Sequence, residues 1–276
     1  MKLFKRIAIV GTGLIGGSLA MVIKEKKLAD EVIGVSRHKK NLAFAKRNRI
    51  IDKGSQDIRA IAQADFVVLA TPVKTILKLA DKISGIVKED CVVTDVGSTK
   101  QEIVAKLGKL FANYVGSHPL AGSEKRSITY ARADIFKDSL CILTPTHSTN
   151  PAVLRKVKDF WAQVGAKTIL LSPAQHDRIL AFVSHLPHAI VFSLITCVPK
   201  NYFRFAASGL KDTTRIAASD SVIWEDIFLS NQKNILKIIE TFEARLSALK
   251  SALKAKDKPE LHKILKLAKT KREALG

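Results

Sequence analysis

The chain is poor in several things at once. It has three cysteines in 276 residues, Cys91, Cys141 and Cys197, and no two share a C-x-x-C spacing. That excludes a disulfide framework and a cysteine zinc site, so no metal is expected, and it fits a reducing cytoplasm. Aromatic residues make up only 6% of the chain. Basic residues are spread from Lys2 to Arg272, and with so few aromatics among them no stacking platform for nucleic acid is expected. Acidic side chains are outnumbered, 25 against 46, for a formal net charge of +21. That surplus reads as a solvated basic surface that also favours anionic small molecules. Its densest stretch, Lys250 to Arg272, has helical spacing and reads as a solvated helix face. There is no internal repeat and no low-complexity linker. The N-terminus is basic, but the apolar run after it is broken by glycines and lacks a small-residue cleavage site, so secretion is not expected. A single segment, 179–199, is apolar enough to suggest a membrane span. It carries His185, Pro187 and His188 near its centre, where polar groups are costly in lipid, so a buried helix at a domain or subunit contact is expected instead.

What the chain does have begins at Arg6-Ile-Ala-Ile-Val-Gly11-Thr-Gly13-Leu14-Ile15-Gly16-Gly-Ser18. A β-type run enters a glycine turn and then a helix, the order that a pyrophosphate-binding turn requires: one glycine for the tight turn, one for close backbone approach, one for helix packing. Further β-type runs at 32–35, 66–70, 92–95, 140–144 and 167–171 alternate with amphipathic stretches. This predicts an α/β fold with a Rossmann-type, doubly wound parallel sheet. From Ser172 onward the apolar spacing is helical, over 175–198, 223–253 and 259–274. The expected organisation is a dinucleotide-binding domain over 1–171 and an all-helical domain over 172–276, whose apolar face suits a homodimer. Ligands of open α/β sheets bind beyond the carboxyl ends of the strands, which brings Thr71, Asp95, Gly97 and Ser98 to notice. The second strand ends Val35-Ser36-Arg37-His38 with no carboxylate to bind a ribose 2′-hydroxyl. Ser36 can hydrogen-bond a 2′-phosphate and Arg37 can pair with it, so NADP is expected over NAD. The plainer reading makes Arg37 to Lys40 an exposed helix start.

Three polar segments remain. Asp95-Val-Gly97-Ser98-Thr-Lys100 ends a strand; His118-Pro-Leu-Ala-Gly-Ser123-Glu-Lys125 follows one; Ser184-His185-Leu-Pro187-His188 pairs with Lys211-Asp212-Thr-Thr-Arg215. Histidine, with a pKa near neutrality, suits general-base work. Serine at 98 suits either a hydroxyl contact with substrate or a cap for a helix beginning near Thr99. In order and spacing, these strings and the glycine loop together resemble the prephenate dehydrogenase family, which includes arogenate and cyclohexadienyl dehydrogenases of tyrosine biosynthesis. The resemblance spans essentially the whole chain.

The resemblance implies a decarboxylating oxidation in which hydride leaves C4 of a cyclohexadienyl ring for NADP or NAD. On the matched positions it implies catalytic roles for His118, on the C4 hydroxyl, and Ser98, orienting it. It implies substrate contacts for Arg215, on a carboxylate, for His188 and for Ser123. Gly11, Gly13, Leu14, Ile15, Gly16, Ser36, Arg37, Thr71 and Asp95 are the expected cofactor contacts. His185 is expected to be a packed core residue, and Trp224 to lie in the core or an interface. Lys211 and Asp212 suit an ionic network or a helix start, and His176-Asp177 an entrance gate or a solvated helix start. The chain stops at Gly276, so feedback control is expected to act at the active site or dimer interface. The competing readings are another Rossmann dehydrogenase with a helical dimer domain, and a redox-sensing NADP-binding module that meets nucleic acid.

Overall fold

The computed structural model describes residues 3–122, 125 and 127–276. Strands and helices alternate through the first part of the chain: β1 Phe4–Val10, α1 Leu14–Glu25, β2 Ala29–Val35, α2 Lys39–Arg47, β3 Lys53–Ser55, β4 Phe66–Leu69, α3 Val73–Ser84, β5 Val92–Asp95, α4 Gln101–Leu110, β6 Tyr114–Pro119, β7 Leu140–Thr144, α5 Pro151–Val164 and β8 Lys167–Leu170. The described strands form one sheet in the order β3-β2-β1-β4-β5-β6-β7-β8. This is a Rossmann arrangement in which strand order reverses between β1 and β4, leaving a crevice at their carboxyl ends. Pairing is parallel through β6, after which β7 returns antiparallel, setting His118 opposite Ile142, and β8 runs parallel to β7. The described elements between β6 and β7 are two short 3-10 turns, with no crossover helix to return the chain in parallel.

The central strands carry unbroken apolar runs, over 7–10 in β1 and throughout β4, because both faces are covered. Ile7 and Ile9 of β1 pack with Leu19, Phe160 and Trp161 on one face. Ala8 and Val10, one residue out of phase, pack with Ile76, Ala80, Ile103 and Leu107 on the other. Trp161 is fully buried and its indole N–H donates to Ser117 Oγ at 3.0 Å. Ser117 in turn lies 2.6 Å from Thr94 Oγ1, which donates to the Val115 carbonyl at 2.7 Å. This chain of contacts satisfies the Trp161, Ser117 and Thr94 side chains beneath the strand that carries His118.

After β8 the chain turns helical: α6 Pro173–Leu180, α7 Leu186–Thr196, α8 Ser208–Thr214, α9 Ser221–Ser230, α10 Gln232–Ala255 and α11 Lys258–Glu273. A capping box starts α6, with Gln175 N–H donating to Ser172 Oγ and Ser172 N–H to Gln175 Oε1. Between α6 and α7 lies a π-helical turn, Ala181–His185, in which the Leu186 N–H reaches back to the Ala181 carbonyl. That widened turn lets Pro187, which has no N–H to give, sit within a continuous helical run. The predicted helix over 223–253 is instead two, because Asn231 leaves helical geometry between α9 and α10 and turns its side chain inward.

By packing, the chain divides into compact units at 1–231 and 232–276. The change of texture at 171 lies inside the first unit, because residues 172–231 are tied to the sheet's helices by buried polar contacts. Asp226 of α9 accepts the Lys74 N–H at the start of α3 at 3.2 Å. Asp177 of α6 accepts N–H groups at the start of α4 from Lys100 at 2.7 Å and Gln101 at 2.9 Å. Carboxylates thus meet the positive ends of two helix dipoles. The second unit, considered alone, is a helical hairpin of α10 and α11, the latter capped by Asp257.

Candidate active site

Backbone geometry builds the nucleotide side of the site. Gly11 has φ +107, and a Cβ there would lie 2.4 Å from the Ala70 carbonyl oxygen, so only glycine fits. A Cβ on Gly16 would lie 1.9 Å from the Gly11 carbonyl, which fixes how closely α1 approaches the turn. Helix α1 starts at Leu14 with Gly13 ahead of it, no side-chain cap and no acidic residue in its first turn. Its open N–H groups and dipole make an anion cradle. Two hydroxyls at the same sheet edge, Thr12 Oγ1 and Thr71 Oγ1, are buried without a protein hydrogen-bond partner. A cradle closed to any Cβ and unpaired polar atoms beside it fit a dinucleotide. Leu14 is buried and Ile15 half-buried at that helix start. At the end of β2, the buried Ser36 accepts the His38 N–H on its Oγ at 3.2 Å, and Arg37 is exposed.

Asp95, expected at the cofactor, faces inward instead. It is fully buried, with one carboxylate oxygen accepting the Tyr114 hydroxyl at 2.7 Å and the other accepting the Gly97 N–H at 2.7 Å and the Lys100 ammonium. Both oxygens are thus engaged by protein donors, as a buried carboxylate must be satisfied where it lies. Burial, then the Asp95 charge, pushes the Tyr114 phenol well above its ordinary pKa. Ser98 is half-buried in the β5–α4 loop, and the capping role considered for it belongs to Asp177.

The largest surprise is His176-Asp177, neither solvated nor a gate, since both side chains are fully buried. His118 Nδ1 lies 2.8 Å from His176 Nε2, and His176 Nδ1 lies 2.8 Å from Asp177 Oδ1. Burial opposes ionisation of Asp177, yet the His176 bond and the two α4 N–H donors hold its pKa below the usual carboxylate value. Burial drives His118 well below the ordinary histidine pKa, with His176, Lys100 and His185 adding to the effect. His176 is lowered too, chiefly by burial. The Asn231 amide nitrogen serves both the Asp177 carbonyl, at 2.7 Å, and His185 Nδ1, at 3.0 Å. His185 is buried, as expected, and its pKa is brought down to about 4, mostly by burial.

His188 stacks on Trp224 with centroids 3.6 Å apart, and its Nδ1 lies 2.9 Å from the Ser184 carbonyl. Burial lowers its pKa and that bond opposes the drop. Arg215 is exposed at the start of a 3-10 turn, Arg215–Ala218, that packs against α7, and Lys211 and Asp212 are exposed on α8. Ser123 lies outside the described residues. The structure thus joins His118, His176, Asp177 and Lys100 in one network, sets His188 against Trp224, and keeps the glycine cradle at the β1 and β4 ends. Among the described residues no cluster of metal-binding groups occurs.

Sequence reasoning left Lys100, Tyr114 and Asn231 without roles. One signal for His176 and Asp177 was present: they stand four and three residues before the buried Leu180, on the packed stripe of α6.

Comparison with known proteins bears on this arrangement. The nucleotide-binding domain model of prephenate dehydrogenase matches residues 19–170, and the dimerization domain model of the same enzyme matches 172–267. The chain belongs to the prephenate dehydrogenase family. Within that family it is 34% identical to the cyclohexadienyl dehydrogenase of Zymomonas mobilis over 93% of this chain and 91% of that one. It is 32% identical to the prephenate dehydrogenase of Bacillus subtilis over 98% of this chain and 76% of that one. The prephenate dehydrogenase of A. aeolicus, solved with hydroxyphenyl propionate and NAD+, superposes with a TM-score of 0.94 at 37% identity, covering 99% and 98% of the two chains. As a member of this family, the chain is a nicotinamide-dependent oxidoreductase. The glycine turn at 11–16 lies outside the matched 19–170 and is assigned on its own geometry.

Proposed function

We propose that this chain oxidatively decarboxylates prephenate to 4-hydroxyphenylpyruvate in tyrosine biosynthesis. The observation that carries the reading is the neutral His118 set at the end of β6, the next strand but one from the glycine crevice. A bound nicotinamide supplies a two-electron acceptor for hydride. The protein's part is positioning and polarisation, since aromatisation of the ring supplies the driving force. His118 accepts the hydrogen bond of the C4 hydroxyl and takes on its proton as hydride leaves C4 and positive charge builds on oxygen. The C1–carboxylate bond breaks, carbon dioxide departs, and the bonding pair enters the ring. The proton returns to the same oxygen, so substrate and product carry the same hydroxyl and no proton is lost there. Ser98 orients that hydroxyl, Arg215 grips a substrate carboxylate through two parallel hydrogen bonds, and His188 and Ser123 contact the substrate.

The cofactor reading is NADP, supported by Ser36, the exposed Arg37 and the absence of a carboxylate at the end of β2; NAD is the alternative. Residues 1–171 serve the cofactor and 172–276 the substrate and a homodimer. The exposed Ile179, Phe182 and Val183 of α6 and its π turn give an apolar face for a second copy. The same helical run, Pro173–Thr196, is long and apolar enough to cross a membrane, but it carries buried His176, Asp177 and His185, which supports a cytoplasmic dimer contact and no membrane.

Arogenate is a second substrate reading, favoured by one observation. His188 donates from Nδ1 to the Ser184 carbonyl, which leaves its Nε2 lone pair for a donor such as an amino group. The test is a spectrophotometric assay crossing prephenate and arogenate with NAD and NADP. Reduced nicotinamide is expected most rapidly from prephenate with NADP, and no reduction with any pair would overturn the reading.

A further inference from the structure

Hydrogen-bond accounting settles which nitrogen of His118 carries the proton. Asp177 is ionised and can only accept, so the 2.8 Å contact to Oδ1 requires a proton on His176 Nδ1. A neutral His176 with Nδ1–H has a lone pair at Nε2. The 2.8 Å contact from there to His118 Nδ1 therefore requires the proton on His118 Nδ1. What remains on His118 is a bare Nε2, the form able to accept a substrate proton. The carboxylate that starts this sequence is itself immobile, because Lys100 N–H bonds the same Oδ1 and Gln101 N–H bonds Oδ2. Asn231 holds the Asp177 carbonyl.

We propose that Asp177 and His176 are positioning residues that lock His118 in the Nδ1–H tautomer through the sequence Asp177, His176, His118. When His118 Nε2 takes the hydroxyl proton, its Nδ1–H bond to His176 strengthens and the new positive charge is met by a ring already polarised by Asp177. The same carboxylate caps α4, so docking α6 on the nucleotide half and setting the histidine tautomer are one event. A helical region that has not seated on α4 leaves His118 without its partner. The inference rests on the proposed reaction only for the identity of the proton received; the tautomer itself is a property of the resting protein.

The test uses the full chain, labelled with 15N, and long-range proton–nitrogen correlation near pH 7.5, with His118→Gln to assign the signal. The expected result is a protonated Nδ1 and an unprotonated Nε2 on His118. A proton on His118 Nε2 overturns the proposal, whatever the enzyme's activity; absence of prephenate oxidation with the expected tautomer instead defeats the proposed function and leaves the positioning intact. Asp177→Ala gives the second arm. With no acceptor left where Oδ1 stood, His176 Nδ1 is no longer obliged to carry its proton, so the Nε2–H form of His118 is expected to appear. In that variant kcat is expected to fall by about 10³–10⁴-fold, as when the acid of a catalytic histidine is replaced, with KM for both substrates within about threefold. An unchanged His118 tautomer, with loss appearing in KM alone, would show a merely structural carboxylate and overturn the proposal.

Discussion

The glycine cradle and the histidine network are built by opposite means. In the cradle one decisive contact is local, Gly16 against Gly11 five positions earlier, and one is not, Gly11 against Ala70 at the end of a neighbouring parallel strand. In the network they are distant, with His118 meeting His176 across 58 positions and Lys100 meeting Asp177 across 77. Local constraint shapes the turn as soon as one strand, turn and helix are formed, and the end of β4 then closes it. Distant constraint makes the network conditional on tertiary assembly.

The sharpest way to separate the two is His118→Asn. Loss of a general base costs about 10²–10⁴-fold, so kcat is expected to fall at least 100-fold. The cradle shares none of His118's partners, so nicotinamide binding, read by fluorescence quenching, is expected to stay within a few-fold. Unchanged turnover would remove His118 from its role, and a matching loss of cofactor affinity would mean that the two regions are not separable.

That division also decides what could be read from sequence. The β1–turn–α1 unit was legible because glycine spacing reports local backbone geometry, and Gly11 and Gly16 stand where that geometry demands them. The sheet was legible because strands buried on both faces leave continuous apolar runs, although β3, three residues long and exposed at two of them, left no such run. The inward role of Asp95 was not legible, since its position at a strand end suggested a ligand while its partners, Tyr114 and Lys100, are known only from the folded chain. His176 and Asp177 look like an ordinary polar helix start, and only the helix they dock against turns them into a buried pair. The helix break at Asn231 was hidden for the same reason, because its amide is held by Asp177 and His185.

A buried network of depressed histidines also predicts how the network fails with pH. His185 titrates at about 4 in the folded protein against about 6.5 unfolded. Its folded pKa is the lower one, so between these values the unfolded chain binds more protons and stability falls as pH falls, while above 6.5 the contribution is constant. Over that window the loss from His185 alone is about 3 kcal/mol. Urea unfolding at pH 7, 5.5 and 4.5 measures it, and His185→Asn is expected to flatten the curve by a comparable amount. Parallel curves for the two proteins would show that His185 does not carry the acid sensitivity. His118 and His176 are depressed in the same direction, so wild-type acid lability is expected to exceed the His185 share.

The smallest expected effect tests the local half on its own terms. Ser36 is buried at the end of β2 with Arg37 exposed beside it, and the proposed NADP preference depends on the lack of a negative charge there. Ser36→Asp puts a carboxylate where a 2′-phosphate would lie, and it also offers an acceptor to ribose hydroxyls. The kcat/KM for NADP is expected to drop about tenfold, roughly 1.4 kcal/mol, while that for NAD holds or rises. Because His118 and its partners lie outside this change, kcat at saturating NAD should match wild type. Equal losses with both cofactors would mean that the substitution disturbs the β2 end, where Ser36 bonds the His38 N–H, and that the preference is set by another group.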